Sequence, residues 1–260
     1  MRNPVPSQDT TNSAAQRADV ALVARGLFES RAMAQAAIAA GLVSADGTMV
    51  RKASAPLRAD AVVEASRPHP WVSRGGVKLV AALDAFRIDP AGRVGLDVGA
   101  STGGFTHVLL DRGARLVHAI DVGTAQLHDL LRANSRVLSR EGCDIRTLAA
   151  GALVPPPSLV VVDVSFIPLR LVLPALSALA TEAADLMVLV KPQFEAGRGQ
   201  ARKGIVRDPA VHAAICDQAR VDVTEAGWTV TGLIPSPIAG GDGNSEFLLG
   251  ATRQRRPSLG

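Results

Sequence analysis

Tyrosine is absent from this 260-residue chain, and phenylalanine and tryptophan together bring the aromatic share to only 3%. That excludes a surface of stacked rings, the usual platform for sequence-tolerant binding of single-stranded nucleic acid. Cysteine is nearly absent too. Cys143 and Cys216 are too few and too scattered for a disulfide framework or a cysteine-based zinc site. The five histidines, His69, His107, His118, His128 and His212, show no metal-ligand spacing, so no metal is expected. No uncharged apolar run reaches the roughly 20 residues of a membrane helix. The nearest, 171–181, is bounded by Arg170 and Glu182 and interrupted by Pro174. The opening MRNPVPSQDTTNSAAQ lacks the apolar core of a secretory signal. A cytoplasmic protein without a membrane partner is the expectation. Charge is modest: 28 Lys and Arg against 24 acids give +4, which permits a polyanionic partner without arguing for one.

What is present divides the chain in two. After a polar leader, 1–16, the stretch 17–66 reads as a small α+β domain. Val20, Leu22, Val23 and Leu27 have helical spacing. Ser30 opens a second helix that Gly41 ends, and Asp46-Gly47 joins two short strands. Another strand is expected at Ala61-Val62-Val63. A joint, 67–78, carries RPHPWVSRGGVK. From 79 to 253 apolar strands alternate with helix-length segments: VGLDVGA, LVHAIDVG, SLVVVDVSF, DLMVLVKPQF, WTVTGLI and EFLLGATR. The middle runs are nearly continuous apolar, as strands buried on both faces are. The pattern predicts an α/β fold with a Rossmann-like, mostly parallel sheet whose last strand is antiparallel. A basic tail, 254–260, closes the chain. No apolar stripe is left over for a partner copy, so a monomer is expected.

The first strand of the larger domain runs into Asp97-Val98-Gly99-Ala100-Ser101-Thr102-Gly103-Gly104-Phe105, with a helix to follow. Small residues there let a ligand approach the backbone. The next strand ends in Asp121, placed to accept hydrogen bonds from both hydroxyls of a ribose. A dinucleotide fingerprint wants glycine where Ser101 stands, and an acid at Asp97 suits a cationic ligand better than a pyrophosphate. S-adenosylmethionine is therefore favoured over a nicotinamide cofactor.

Four further residues are ones a packed α/β core does not ask for: Lys78, Asp163, Lys191 and Glu246. Asp163 and Lys191 end strands and Glu246 begins one, where ligands of open sheets sit. Two lysines among two acids can orient and ionise a weak acid such as a ribose 2′-hydroxyl. Lys191 is the expected base or direct hydroxyl ligand, with Lys78 favouring its uncharged form, and methyl transfer follows by proximity.

The segments SRGG-x-K-L, LDVGASTGGFT, VVVDVSFI, LVKPQFEAG, G-x-VRDP and PSP-I-x-G-x-x-GN-x-E-F-L resemble the TlyA family over about residues 17–253. These are bacterial ribosomal RNA 2′-O-methyltransferases, historically called haemolysins, with an S4 RNA-binding domain before an FtsJ-like methyltransferase domain. The resemblance implies a catalytic tetrad of Lys78, Asp163, Lys191 and Glu246. It also implies S-adenosylmethionine held by Asp97, Gly99, Ala100, Ser101, Gly103, Gly104 and Phe105, with Asp121 on the ribose and Asp144 near the adenine. The implied reaction is 2′-O-methylation, of a cytidine, in 16S or 23S ribosomal RNA. Departures cluster beside the cofactor loop: Thr124 and Ala125 replace a Tyr-Gly pair, and Asp144 replaces an asparagine.

Basic residues suit an RNA partner by position. Residues 17–67 hold seven basic against five acidic side chains, with Arg17, Arg25, Arg31, Arg51 and Lys52 as candidate phosphate contacts. Arg74 in the joint, and Arg198, Arg202, Lys203 and Arg207 after the Lys191 segment, are the other candidates. A non-catalytic ribosome-binding or assembly factor that keeps the fold is the alternative.

Overall fold

Ser30 caps a helix, Asp46-Gly47 turns a hairpin, and from these local signals residues 15–70 assemble as a unit of their own. In the computed structural model, which describes residues 15–196 and 204–254, the chain divides between Pro70 and Trp71. The smaller unit runs β1 (Gln16–Arg17), α1 (Ala18–Ala24), α2 (Arg31–Ala39), β2 (Val43–Ala45), β3 (Thr48–Met49), β4 (Pro56–Leu57) and β5 (Val63–Ala65). Ser30 Oγ accepts from Met33 N at 3.3 Å, capping α2, and Gly41 with φ +70° releases it. Asp46 (φ +50°) and Gly47 (φ +72°) form the left-handed pair that a two-residue hairpin between β2 and β3 requires. The strand expected at 61–63 lies instead at Val63–Ala65, antiparallel to β2. Leu22, Phe28, Met33, Ile38, Val43 and Leu57 are the core.

The larger unit runs α3 (Gly75–Phe86), β6 (Val94–Val98), α4 (Gly104–Asp111), β7 (Leu116–Ile120), α5 (Asp129–Arg132), β8 (Val137–Arg140), β9 (Leu159–Val162), α6 (Leu173–Leu179), β10 (Ala184–Val190), α7 (Pro192–Glu195), α8 (Pro209–Glu225), β11 (Thr229–Pro235) and β12 (Phe247–Arg253). The stretch expected as a joint thus runs into a helix, since Gly75–Lys78 are the first turn of α3. Seven strands make one sheet, ordered β11-β12-β10-β9-β6-β7-β8. Strands β6 to β10 are parallel, and β12 is antiparallel to both its neighbours.

Alternation along β9 shows why its sequence is apolar throughout. Val160 and Val162 join one core with Leu176, Ile215 and Trp228, while Leu159 and Val161 join another with Leu83, Leu109 and Leu248. β8 lacks such a run; Val137 is buried and the next three residues are exposed, as suits an edge strand. The order reverses between β6 and β9, so a crevice opens beyond their carboxyl ends. Among the described residues no helix is long and apolar enough to cross a membrane.

Candidate active site

Lys78 reaches the sheet because two glycines make room for its helix. A Cβ on Gly250 of β12 would lie 2.5 Å from Phe86 Cγ, and one on Gly76 would lie 1.8 Å from Trp71 Cδ1. Phe86 therefore seats the end of α3 on β12, and Trp71 covers its first turn. That docking sets Lys78, in α3, against Glu246, which immediately precedes β12. Lys78 Nζ donates to Glu246 Oε2, and both side chains are buried. Glu246 is confined further by Gly240, where a Cβ would stand 2.5 Å from its Oε1.

Asp163 and Lys191 follow β9 and β10, adjacent parallel strands in register at Val162 and Val188. Lys191 Nζ lies 2.5 Å from Asp163 Oδ1, an ion pair without hydrogen-bond alignment, and donates to Ser165 Oγ at 2.9 Å. All four residues line one hollow of about 260 Å³ with Arg74, Gly99 and Ser101. Each lysine has its own carboxylate, so the hollow holds two balanced pairs.

A larger cavity of about 730 Å³ adjoins it, sharing Gly99, Ser101 and Asp163. Its walls are apolar at Ile120, Ile145, Ile167 and Val172, and polar at Asp121 and Asp144. Gly99 (φ +81°) is essential to this junction, because a Cβ there would sit 2.4 Å from the Asp163 carbonyl oxygen. Asp121 is fixed at both oxygens: Ser101 N donates to Oδ2 and Gly123 N to Oδ1, each at 2.7 Å. Each oxygen keeps a lone pair for a ligand hydroxyl.

Other members of the glycine-rich loop serve differently. Ala100, Gly104 and Phe105 line the smaller hollow, whereas Gly103 lines neither space and packs on Leu127 and Leu131. Asp97 also lines neither. It has no exposed surface, and its Oδ2 accepts from Thr106 N (2.8 Å) and Thr106 Oγ1 (2.7 Å), capping α4 from the strand. Its Oδ1 has no hydrogen-bond partner among the described residues. Burial pushes this carboxyl up to about 7, with Asp163 and Asp121 adding repulsion and the Thr106 bonds opposing.

Asp144 lines the cavity, but Arg146 holds it. Arg146 Nε lies 3.0 Å from both oxygens and its NH2 2.5 Å from Oδ2, which keeps the carboxyl below its ordinary value. Sequence reasoning missed Arg146, although it stands only two residues after Asp144. It missed Ser165 too, which lies inside a motif that had been read for its aspartate.

Of the basic candidates, Arg17 and Arg31 pair with buried Asp19 at 3.0 and 2.9 Å. Arg25 donates to the carbonyls of Ala61, Arg58 and Ala59. Arg51, Lys52, Arg74 and Arg207 are exposed. Arg198, Arg202 and Lys203 lie outside the described residues. Among the described residues no group of three or more His, Cys, Asp or Glu could hold a metal.

Comparison with known proteins gives two matches along the chain: the S4 domain over residues 16–63 and the FtsJ-like methyltransferase over 71–253. The 16S/23S rRNA (cytidine-2′-O)-methyltransferase TlyA of Mycobacterium tuberculosis is 47% identical over 90% of this chain and 88% of its own length. A solved structure from Streptococcus thermophilus, described as a hemolysin, superposes with TM-score 0.74 at 39% identity, over 94% of this chain and 90% of that one. An S-adenosylmethionine-dependent methyltransferase from Listeria monocytogenes shares the fold of the larger part, with TM-score 0.52 at 14% identity over 70% of this chain and all of that one.

Proposed function

The chain belongs to the FtsJ-like methyltransferase family, in the TlyA group that carries an S4 domain, and from that membership we propose that it methylates a ribose 2′-hydroxyl in ribosomal RNA. The substrate is a cytidine of 16S or 23S RNA and the methyl donor S-adenosylmethionine. The observation that carries this reading is the pair of lysine–carboxylate contacts in one hollow that shares Gly99, Ser101 and Asp163 with a nucleoside-sized cavity.

The residues present fit the cofactor. A cavity of about 730 Å³ is ample for it, Asp121 offers two anchored acceptors for a ribose diol, and Gly99 leaves the backbone open. Asp144 follows β8, four strands along the sheet from β10, which Lys191 follows, and it lines the same cavity as Asp121, which suits the base. When bound, S-adenosylmethionine supplies a methyl group on a positively charged sulfur. The protein's own work is positional and electrostatic. Lys191 contacts the target hydroxyl, and the Lys191–Asp163 pair receives its proton as a unit. Lys78–Glu246 closes the other side of the hollow, and Arg74 at its rim takes a phosphate.

Arg51 and Lys52 are the readiest phosphate contacts of the small unit, because Arg17, Arg25 and Arg31 spend part of their donor capacity internally. Recognition then rests on RNA shape and phosphates with little stacking. The protein acts as a monomer in the cytoplasm, where ribosomal subunits are. Mapping 2′-O-methyl positions in ribosomal RNA from cells with and without the protein identifies the nucleotide. In vitro, Lys191→Ala is expected to cut methyl transfer to purified subunits by at least about 10²-fold. Full methylation by that variant would sink the assignment.

A further inference from the structure

Glu195 is a half-buried carboxylate that the chemistry above does not use, yet it sits where the two limbs of the Lys191–Asp163 pair meet. One limb leaves β9 as Asp163-Val164-Ser165-Phe166-Ile167-Pro168 and enters a 3-10 turn, Leu169–Leu171. The other leaves β10 as Lys191 and forms α7, which ends on Glu195. Three ties join these limbs: Lys191 Nζ to Ser165 Oγ, the Phe166 and Phe194 rings at 4.9 Å, and Leu169 N donating to Glu195 Oε1 at 2.9 Å.

The third tie has a clear local cause. The turn at Leu169 has Pro168 at its N-cap and no side-chain cap of its own, so the first amide would be left without an acceptor. Glu195 supplies that acceptor from the other limb. The limb it steadies is under strain, because Phe166 has φ +65° with 90% of its surface exposed, and its ring contact with Phe194 is a tie to the other limb.

We propose that Glu195 is a positioning residue for methyl transfer: by capping the Leu169 turn it holds the 164–168 limb, and with it Asp163, against Lys191. The inference rests on the methyltransferase reading for its catalytic consequence, but its structural part stands without it. Burial pushes the Glu195 carboxyl up to about 7; Asp222 on α8 adds to this, while Arg170 on the 3-10 turn and the Leu169 bond oppose it. The cap is accordingly strongest above neutral pH, where the group is ionised, and weaker below.

The test uses the full-length protein with Glu195→Ala and Glu195→Gln, the latter keeping an oxygen acceptor in place. Hydrogen–deuterium exchange over 164–171 should rise about tenfold in Glu195→Ala and stay near wild type in Glu195→Gln, with β6 unchanged in both. Single-turnover methyl transfer to ribosomal subunits should fall 10- to 100-fold in Glu195→Ala while the S-adenosylmethionine dissociation constant moves less than about threefold. Glu195→Gln should recover most of that rate, and the ratio of wild-type to Glu195→Gln rates should climb between pH 6 and 8. Unchanged exchange over 164–171 in Glu195→Ala would overturn the proposal, as would a Glu195→Gln protein as slow and as open as Glu195→Ala. If wild type itself transferred no methyl group, the functional reading would fall, and the exchange data would still decide the positioning role.

Discussion

Two aspartates, one in each unit, have no exposed surface and meet opposite fates. Asp19, in the first turn of α1, is met by Arg17, Gln35 and Arg31, and these bonds hold its carboxyl far below the ordinary value. Asp97, at the end of β6, is met only by the neutral donors of Thr106, keeps one oxygen unpartnered, and is driven up to about 7. The small unit closes its charge on itself, which is what a scaffold does. In the large unit Lys191 pairs with Asp163, but Asp121 is met by backbone amides and Asp97 keeps an oxygen unpartnered, and both Asp121 and Asp163 repel Asp97. That arrangement suits a cationic ligand and costs stability without one.

The largest effect that could break this comparison is on stability against pH. Asp97's folded value lies above its unfolded one, near 3.8, so the folded chain binds the extra proton in between. Its burden on the fold is therefore absent below about pH 4, grows as pH rises, and is complete above about 7. At about 1.4 kcal/mol per unit, the wild-type protein should lose on the order of a few kcal/mol across that window. Asp97→Asn should remove this slope in urea titrations at pH 5, 6, 7 and 8. An equal slope in both proteins would mean that burial of Asp97 is not the cause.

Asp19 should respond in the other direction and more gently. Its folded value is depressed, so its stabilisation is complete above the unfolded value of 3.8 and lost only as pH falls below that. Between pH 5 and 8 the small unit should be flat. Asp19→Asn leaves two guanidinium groups converging on an uncharged partner, and amide exchange over 16–39 should quicken about tenfold at pH 7. Exchange over β6 should not move. Arg17 and Arg31 are half exposed, which is why the effect stays modest.

How much of this was legible beforehand depended on whether a residue's partner lay close in sequence or across the fold. Ser30, Gly41 and Asp46-Gly47 act on neighbouring backbone, so caps and turns could be read directly. The apolar runs of β6, β7, β9 and β10 gave the parallel sheet, because burial on both faces leaves no choice of residue. β8, mostly exposed at the edge, gave no such run, and in the small unit the strand expected at 61–63 lies two residues later, at β5. At the site, strand-end position was enough to single out Asp163 and Lys191. That Lys78 pairs with Glu246 depends on Phe86 seating against Gly250, a contact across more than 160 positions that no local pattern announces. Asp97 is the converse case: its place at a strand end suggests a ligand contact, whereas its side chain lines neither space and accepts from Thr106 of α4, a partner that strand-end position alone does not announce.

Asp144 sharpens the comparison from inside the large unit, because it is paired like Asp19 yet lines the cavity like Asp121. Arg146 covers both its oxygens, but the guanidinium is nearly half exposed, so the pair is worth little to the fold. Orientation of the carboxylate does not depend on the guanidinium alone, since Arg146 N also donates to Asp144 Oδ1 at 3.0 Å. Removing the guanidinium should therefore free acceptor capacity without loosening the carboxylate. Arg146→Met is expected to tighten S-adenosylmethionine binding by about two- to threefold in calorimetry, roughly half a kcal/mol, with melting unchanged. A weakened affinity would show instead that Arg146 itself touches the ligand, and Asp144 would then belong with the open carboxylates of the strand ends and not with Asp19.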